Sequence, residues 1–114
     1  MVRRTLLAAF ALVAATGAAS SAPLQIDVTY ITQREPIVQP LSLVEPILED
    51  EGLMGARQAL GENQTTGQFL EHEYQLIERI VPEDGDLAAE FEAALAAGER
   101  LFIADLRAEQ LLQL

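Results

Sequence analysis

Alternating apolar and polar residues predict the first element of the chain. In Leu24–Thr32 (LQIDVTYIT), every second residue from Leu24 to Tyr30 is apolar or aromatic. A period of two is typical of a half-buried β-strand. Residues 33–50 follow, with prolines at positions 36, 40 and 46 that forbid a continuous helix or a central strand. This segment is predicted to be a long loop that carries Ile and Leu side chains, and such loops are usually functional or disordered.

The next two segments predict a helix and then a second strand. Leu53, Ala56 and Leu60 recur at the spacing of one helix face, which predicts a helix over residues 51–63, with Asn63–Gly67 (NQTTG) as its stop and loop. Asp50 and Glu51 stand at its N-terminal end, where carboxylates are favourable. Residues 73–81 (EYQLIERIV) predict a second strand, which the next proline ends.

A second helix and a third strand complete the pattern. Residues 87–97 (LAAEFEAALAA) predict a helix, with Asp86 as its N-cap and Gly98 at its C-terminal stop. Leu101–Ala104 (LFIA) is a continuous apolar run, typical of a strand buried on both faces of a parallel sheet. Asp105 follows as a predicted cap, and residues 106–114 resemble a third helix.

The order β-α-β-α-β-α places the chain in the α/β fold class. Helices between successive strands imply crossover connections and therefore a parallel sheet. Right-handed crossovers place the first strand between the other two, in the order 2-1-3. Three such strands form an incomplete doubly wound parallel sheet, in which no fourth strand covers the apolar third one. We therefore expect either a fragment of a larger protein or a chain whose sheet is completed by a partner.

The first 21 residues have the layout of a secretory signal peptide. Arg3 and Arg4 precede the apolar run LLAAFALVAA, and a stretch of small residues follows, with cleavage expected after Ser21. The alternative, a membrane anchor, fits less well because the run is much shorter than the roughly 20 residues that a spanning helix needs. The predicted organisation is a signal peptide at 1–21 and one incomplete α/β unit at 22–114, in the periplasm and without a membrane span after cleavage.

Charge and cysteine content exclude several classes of function. The formal net charge is −11, and removal of the signal peptide with its two Arg leaves five Arg against eighteen carboxylates, a charge of −13. Such a chain repels nucleic-acid phosphates and anionic lipid. The absence of Cys excludes disulfides, thiol catalysis, thiolate metal sites and a lipid-modified cysteine.

Asp105 is the sharpest candidate for a functional residue. In open α/β sheets, ligands bind beyond the carboxyl ends of the strands, at the topological switch point, which is where Asp105 is predicted to lie. The alternative interpretation is a simple helix N-cap. A phospho-accepting receiver domain also carries an Asp there, but it needs an acidic pair after its first strand, where this chain reads Tyr30 to Gln33.

The remaining polar residues do not indicate chemistry. His72 is the only histidine and is interpreted as a surface residue. The acidic residues at positions 83, 84 and 86 lack the spacing of a calcium loop, so turn and cap roles suffice for them. No serine is placed by a catalytic motif, and no glycine-rich phosphate loop follows the first strand. The sequence therefore predicts a protein that is not an enzyme and that has no catalytic residue, cofactor or metal.

Two stretches carry a resemblance to a known family. These are APLQIDVTYITQRE after the signal peptide and residues 52–106, above all GLMGARQALGENQTTG and PEDGDL. Together they resemble the N-terminal part of type I periplasmic substrate-binding proteins of ABC transporters, of the branched-chain-amino-acid-like group. Within that group the resemblance is to a subgroup associated with pyrroloquinoline-quinone-dependent (PQQ-dependent) alcohol dehydrogenase systems. It covers nearly the whole chain after residue 21, and it implies that residues 22–114 are a partial N-terminal lobe of a solute-binding domain, half of one lobe of a two-lobed protein.

The resemblance implies capture of a small-molecule ligand between two lobes and its delivery to an ABC permease, without chemistry. Family members that bind amino acids hold the ligand carboxylate with small hydroxyl residues after the third strand. This chain has Asp105 and Arg107 there instead, and both are candidate ligand-binding residues. Asp105 would repel a carboxylate, whereas Arg107 would attract one. The alternative function is a small exported interaction module that completes its sheet on a partner, such as a quinoprotein dehydrogenase component.

Overall fold

The computed structural model describes residues 22–37, 41, 44 and 46–114. The predicted signal peptide therefore lies outside the described residues. The three strands are β1 (Leu24–Gln33), β2 (His72–Val81) and β3 (Phe102–Asp105), and the three helices are α1 (Glu51–Gly67), α2 (Leu87–Ala96) and α3 (Ala108–Leu111). A short 3-10 turn, Gln68–Leu70, joins α1 to β2.

The strands form one parallel sheet in the order β2-β1-β3, which confirms the predicted fold class and strand order. Along its whole length β1 pairs with β2, from Leu24 opposite His72 to Gln33 opposite Val81. On its other side, only the second half of β1 pairs with β3. The carboxyl-terminal half of the central strand therefore pairs with both neighbours.

The helices lie on opposite faces of the sheet. Ile31 points to the face covered by α2, where it forms the core with Val81 and Leu87 and with half-buried residues around them. Phe91 and Phe102 belong to this group, and their ring centroids are 4.9 Å apart. The next residue along the strand, Tyr30, points to the other face because side chains alternate. That face is covered by α1.

A charged network joins the sheet to the α2 side. Arg79 on β2 donates hydrogen bonds to both carboxylate oxygens of Glu99, at 2.9 and 2.5 Å, and a further one to Glu90 on α2. The hydroxyl of Thr29, which is fully buried, donates to Glu99 at 2.7 Å. Each buried polar group in this network thus has a partner, as burial in a low-dielectric region requires.

The predicted start and end signals of α2 are both confirmed. The Asp86 side chain accepts a hydrogen bond from the backbone N–H of Ala89 at 3.0 Å, which is the N-cap interaction. Gly98 has a φ of +94°, the left-handed conformation that glycine adopts without a Cβ clash.

The predicted end of α1 is wrong, because the helix continues through residues 63–67. Asn63 and Thr65 donate their side-chain hydrogen bonds to carbonyls one turn earlier, at 2.8 and 3.3 Å, instead of stopping the helix. The chain turns only after Gly67, where a Cβ would lie 2.8 Å from the Tyr74 ring. A glycine here permits the close approach between the end of α1 and the start of β2.

The outer edge of β3 is uncovered in the part of the chain that the structure describes. Its inner edge pairs with β1, and no described strand pairs with the other. Ile103 is 44% exposed although its sequence context is typical of an interior strand. The short β3 therefore presents apolar side chains and free backbone groups at the margin of the sheet.

Candidate functional site

Polar side chains from β1 and β3 meet at the carboxyl end of the sheet. Because Thr32 is opposite Asp105 in the parallel register, the carboxyl ends of the two strands lie side by side. The hydroxyl of Tyr30 donates to Asp105 Oδ2 at 2.5 Å, and the hydroxyl of Thr32 donates to the Asp105 backbone carbonyl at 2.9 Å. The two connections leaving β1 and β2 run to opposite sides of β1, so this point is the topological switch point of the sheet.

Tyr30 is a neutral hydrogen-bond donor in this pair. Its side chain is only 2% exposed, and that burial, together with the hydrogen bond to Asp105 and its negative charge, raises the pKa of Tyr30 to about 12. The phenol therefore keeps its proton at neutral pH, and the carboxylate of Asp105 is the acceptor.

The first turn of α1 closes over this pair. A Cβ on Gly52 would lie 2.2 Å from Asp105 Oδ2 and 2.6 Å from Tyr30 Oη, so only glycine allows the helix to start this close. The positive N-terminal end of α1 thereby lies against a carboxylate, which is the favourable orientation. Sequence reasoning missed Gly52, although a glycine at the second position of the first helix was the visible signal.

Asp105 is not the helix cap that the sequence suggested. It is the last residue of β3, and the N-cap position of α3 is occupied by Arg107. The backbone N–H of Arg107 donates to the Gln110 side chain at 2.8 Å. Gln110 also donates to Gln33 at 3.1 Å, so the start of α3 is tied to the end of β1.

Arg107 forms an ion pair with a residue of the long loop. Its Nε lies 2.7 Å from Oε1 of Glu35, and the two side chains are 65% and 47% exposed. An exposed pair of this kind contributes little to stability. Its effect is local, because Glu35 neutralises the guanidinium that the sequence suggested for holding a ligand carboxylate.

Both predicted site residues line one open concave region at this end of the sheet. The last residues of β1, the first turn of α1 and the loop between β1 and α1 line the same region. The loop contributes apolar side chains, among them Ile37, Ile47 and Leu48. The region thus combines exposed apolar side chains with a largely charged lining.

The charge of this region is strongly negative. Two guanidinium groups line it, those of Arg34 and Arg107. The carboxylates that line it are Glu35, Glu49, Asp50, Glu51, Glu83 and Asp105. Clefts lined by one sign of charge attract ligands of the opposite sign.

Potential metal ligands and the histidine were located relative to this site in the described part of the chain. Among residues 22–37, 41, 44 and 46–114, no group of three or more His, Asp or Glu side chains could hold a metal ion. His72 starts β2 at the other, amino-terminal end of the sheet. It is half buried rather than a surface residue as predicted, because it packs edge-on against Tyr74 with ring centroids 6.2 Å apart.

Comparison with known proteins finds no matching family model, no matching curated protein and no matching solved structure. The resemblance to periplasmic substrate-binding proteins therefore stays a prediction. Within the described part of the chain, no helix has the length and apolar character needed to cross a membrane.

Proposed function

We propose that this protein captures a small solute in the periplasm for an ABC transporter, as part of a two-lobed binding protein of type I. In this proposal the described sheet corresponds to three strands of one lobe, and the solute binds at the carboxyl end of β1 and β3. The partner that receives the solute is a membrane permease. No bond of the solute is made or broken.

One observation carries the proposal: a concave region with a fixed carboxylate at the switch point of a parallel sheet. This is where open α/β sheets bind ligands. Tyr30, Thr32 and Asp105 are positioned by β1 and β3, whereas the loop contributes both charged and apolar side chains. That arrangement supports reversible binding, because hydrogen bonds hold the strand residues in place and the loop side chains are exposed to contact a ligand.

The export part of the proposal is tested by N-terminal sequencing of the protein recovered from the periplasm. We expect the mature chain to begin at Ala22. A variant that lacks the apolar run of residues 6–15 should remain in the cytoplasm. Recovery of the uncleaved chain in the membrane fraction would instead support the anchor interpretation.

The binding part is tested by following backbone amide resonances while the exported chain is titrated with a panel of small solutes. A solute that binds as proposed shifts the amides of Tyr30, Thr32 and Asp105. The internal control is the opposite end of the sheet, where Leu24 and His72 should not respond. Shifts at that opposite end alone, or none with any solute of the panel, would contradict the proposal.

The edge of β3 favours a second candidate, an exported interaction module. Its outer backbone groups and the 44% exposed side chain of Ile103 are available to a strand of a partner, such as a quinoprotein dehydrogenase component. The substitution Ile103→Lys separates the two functions. It should abolish partner binding on the edge while leaving the solute-induced shifts at the strand ends unchanged.

A further inference from the structure

The side-chain amide of Gln33, the last residue of β1, joins two segments that follow the other two strands. Its Nε2 donates to three backbone carbonyls of the turn after β2: those of Pro82 and Glu83, both at 3.2 Å, and that of Gly85 at 2.9 Å. Two N–H bonds serve three acceptors, so one hydrogen is shared between carbonyls. The turn after β2 is thereby wrapped around the end of β1.

The oxygen of the same amide continues the network to the start of α3. Gln33 Oε1 accepts from Gln110 Nε2 at 3.1 Å, and Gln110 Oε1 accepts from the backbone N–H of Arg107 at 2.8 Å. Gln110 is only 8% exposed, so its amide depends on hydrogen-bond partners within the protein. Two side-chain amides in series therefore connect Arg107 to the end of β1.

The direction of each amide in this series is fixed by its neighbours. If Gln33 turned its amide over, Oε1 would face three carbonyl oxygens, and its N–H groups would face the donor of Gln110. Gln110 is constrained in the same way, because its oxygen has to face the N–H of Arg107. Gln33 therefore has two distinct arms, a donor arm towards the turn and an acceptor arm towards α3.

We propose that Gln33 is a positioning residue of the candidate site, which holds the turn after β2 directly and Arg107 through Gln110. Pro82, Glu83 and Arg107 line the concave region, so both arms end at its lining. This inference rests on the proposed function and deepens it, because it names the residue that keeps the lining of the same site in place. The two arms are tested in the unliganded chain, so the inference can fail separately from solute capture.

Amide hydrogen exchange reports on the two arms separately. The N–H of Gly85 donates within the turn at 3.0 Å, and that of Arg107 donates to Gln110. Gln33→Glu removes the donors of the first arm but keeps an oxygen for the second. At neutral pH we expect the Gly85 amide to exchange about tenfold faster, the scale of one or two hydrogen bonds, and the Arg107 amide to change by less than about threefold.

Gln33→Lys is the complementary variant. It offers three N–H donors to the three carbonyls but no oxygen to Gln110. The two effects should therefore be exchanged: the Arg107 amide exchanges about fivefold faster, whereas the Gly85 amide stays within about twofold of the unsubstituted chain. A residue that merely fills space at the strand end would give the same pattern in both variants, and that result would overturn the proposal.

The step through Gln110 has its own test. Gln110→Met keeps the length of the side chain and removes its amide, so the Arg107 N–H loses its acceptor and should exchange about tenfold faster. If Gln33 acts on Arg107 through Gln110, the addition of Gln33→Lys to Gln110→Met should cause no further change at Arg107. A further acceleration in the double variant would mean a route that bypasses Gln110, and it would overturn the proposal.

Two controls separate these effects from a loss of folding and from solute capture. Gln25→Glu and Gln25→Lys make the same charge changes near the start of β1 and should alter both rates by less than about twofold. The Tyr74 amide, which donates to Gln64 at 2.8 Å, is the reference, so a general loss of stability cancels from each ratio. A solute panel that shifts no amide at the strand ends contradicts solute capture, whereas equal ratios in all variants contradict the role of Gln33.

Discussion

The pair formed by Arg79 and Glu99 is predicted to be the main polar contribution to stability. The Glu99 side chain is only 8% exposed and that of Arg79 19%, and two hydrogen bonds of 2.5 and 2.9 Å join them. Glu99→Gln keeps the shape but removes the charge and weakens the hydrogen bond from Thr29. Complete loss of one partner of a fully buried pair costs about 3–5 kcal/mol.

The expected cost here is lower, about 2 kcal/mol, because Arg79 keeps Glu90 as a partner and Gln still accepts a hydrogen bond. The matched control is Glu90→Gln, which removes the other carboxylate from the same guanidinium. The Glu90 side chain is 40% exposed, so its contribution is screened by water and should be below about 1 kcal/mol. Urea unfolding measures both, and with a slope of roughly 1 kcal/mol per M, Glu99→Gln should lower the midpoint by about 2 M.

The pH dependence provides an independent check on the same pair. The hydrogen bonds from Arg79 lower the pKa of Glu99 below its ordinary value, against the opposing effect of burial and with a further contribution from the Thr29 hydroxyl. A lowered folded-state pKa means that this stability is fully present above the ordinary glutamate pKa and is lost as the pH falls through the folded-state value. The difference between the unsubstituted chain and Glu99→Gln should therefore shrink in acid. A constant difference, or an equal cost for Glu90→Gln, would refute the reasoning.

Three further predictions concern close contacts. Gly52→Ala should destabilise the fold, because its Cβ would lie 2.2 Å from a carboxylate oxygen. The control Gly55→Ala has nothing within 4 Å of its Cβ and should stabilise the fold by about 0.5–1 kcal/mol. Thermal unfolding of the two variants compares these effects. The side-chain resonances of Tyr30 should titrate with a pKa of about 12, because of burial and its carboxylate partner, and Gly52→Ala should lower that value. Gly67→Ala should lower the free energy of unfolding by about 1–3 kcal/mol, because the Cβ would meet a tyrosine ring and a backbone carbonyl. Gly61→Ala, with no such contact, should not lower it. Urea unfolding measures both variants, and equal destabilisation would contradict the contact.

The architecture was predictable because its signals are local. Apolar runs separated by helix-length segments specify parallel strands, and the handedness of their crossovers specifies the order 2-1-3. Asp86 and Gly98 were predictable for the same reason, since capping depends on neighbours within a few residues. Residues 63–67 were not, because Asn and Thr are compatible with both a stop and a helix, and their side chains bond back to the preceding turn.

The candidate site was predictable in position but not in its contacts. Asp105 follows an apolar run, and a polar residue there is compatible with both a strand end and a helix cap. Its partner Tyr30 lies 75 residues earlier, and only the strand register brings the two together. The ion pair between Arg107 and Glu35 was equally unpredictable from the sequence, because it depends on how the loop after β1 folds over the strand ends. Long-range side-chain contacts follow from tertiary packing, to which local patterns do not extend.

The contact between Tyr30 and Asp105 meets two physical requirements at once. A buried phenol must find a hydrogen-bond partner, and a carboxylate at the mouth of a concave region must be held in one orientation to recognise a ligand. The first turn of α1, brought close by Gly52, adds a favourable electrostatic interaction with the same carboxylate. The anchor of the site is therefore part of the fold itself. Under the proposed function, changes in ligand preference should therefore come from the apolar loop residues rather than from the strands.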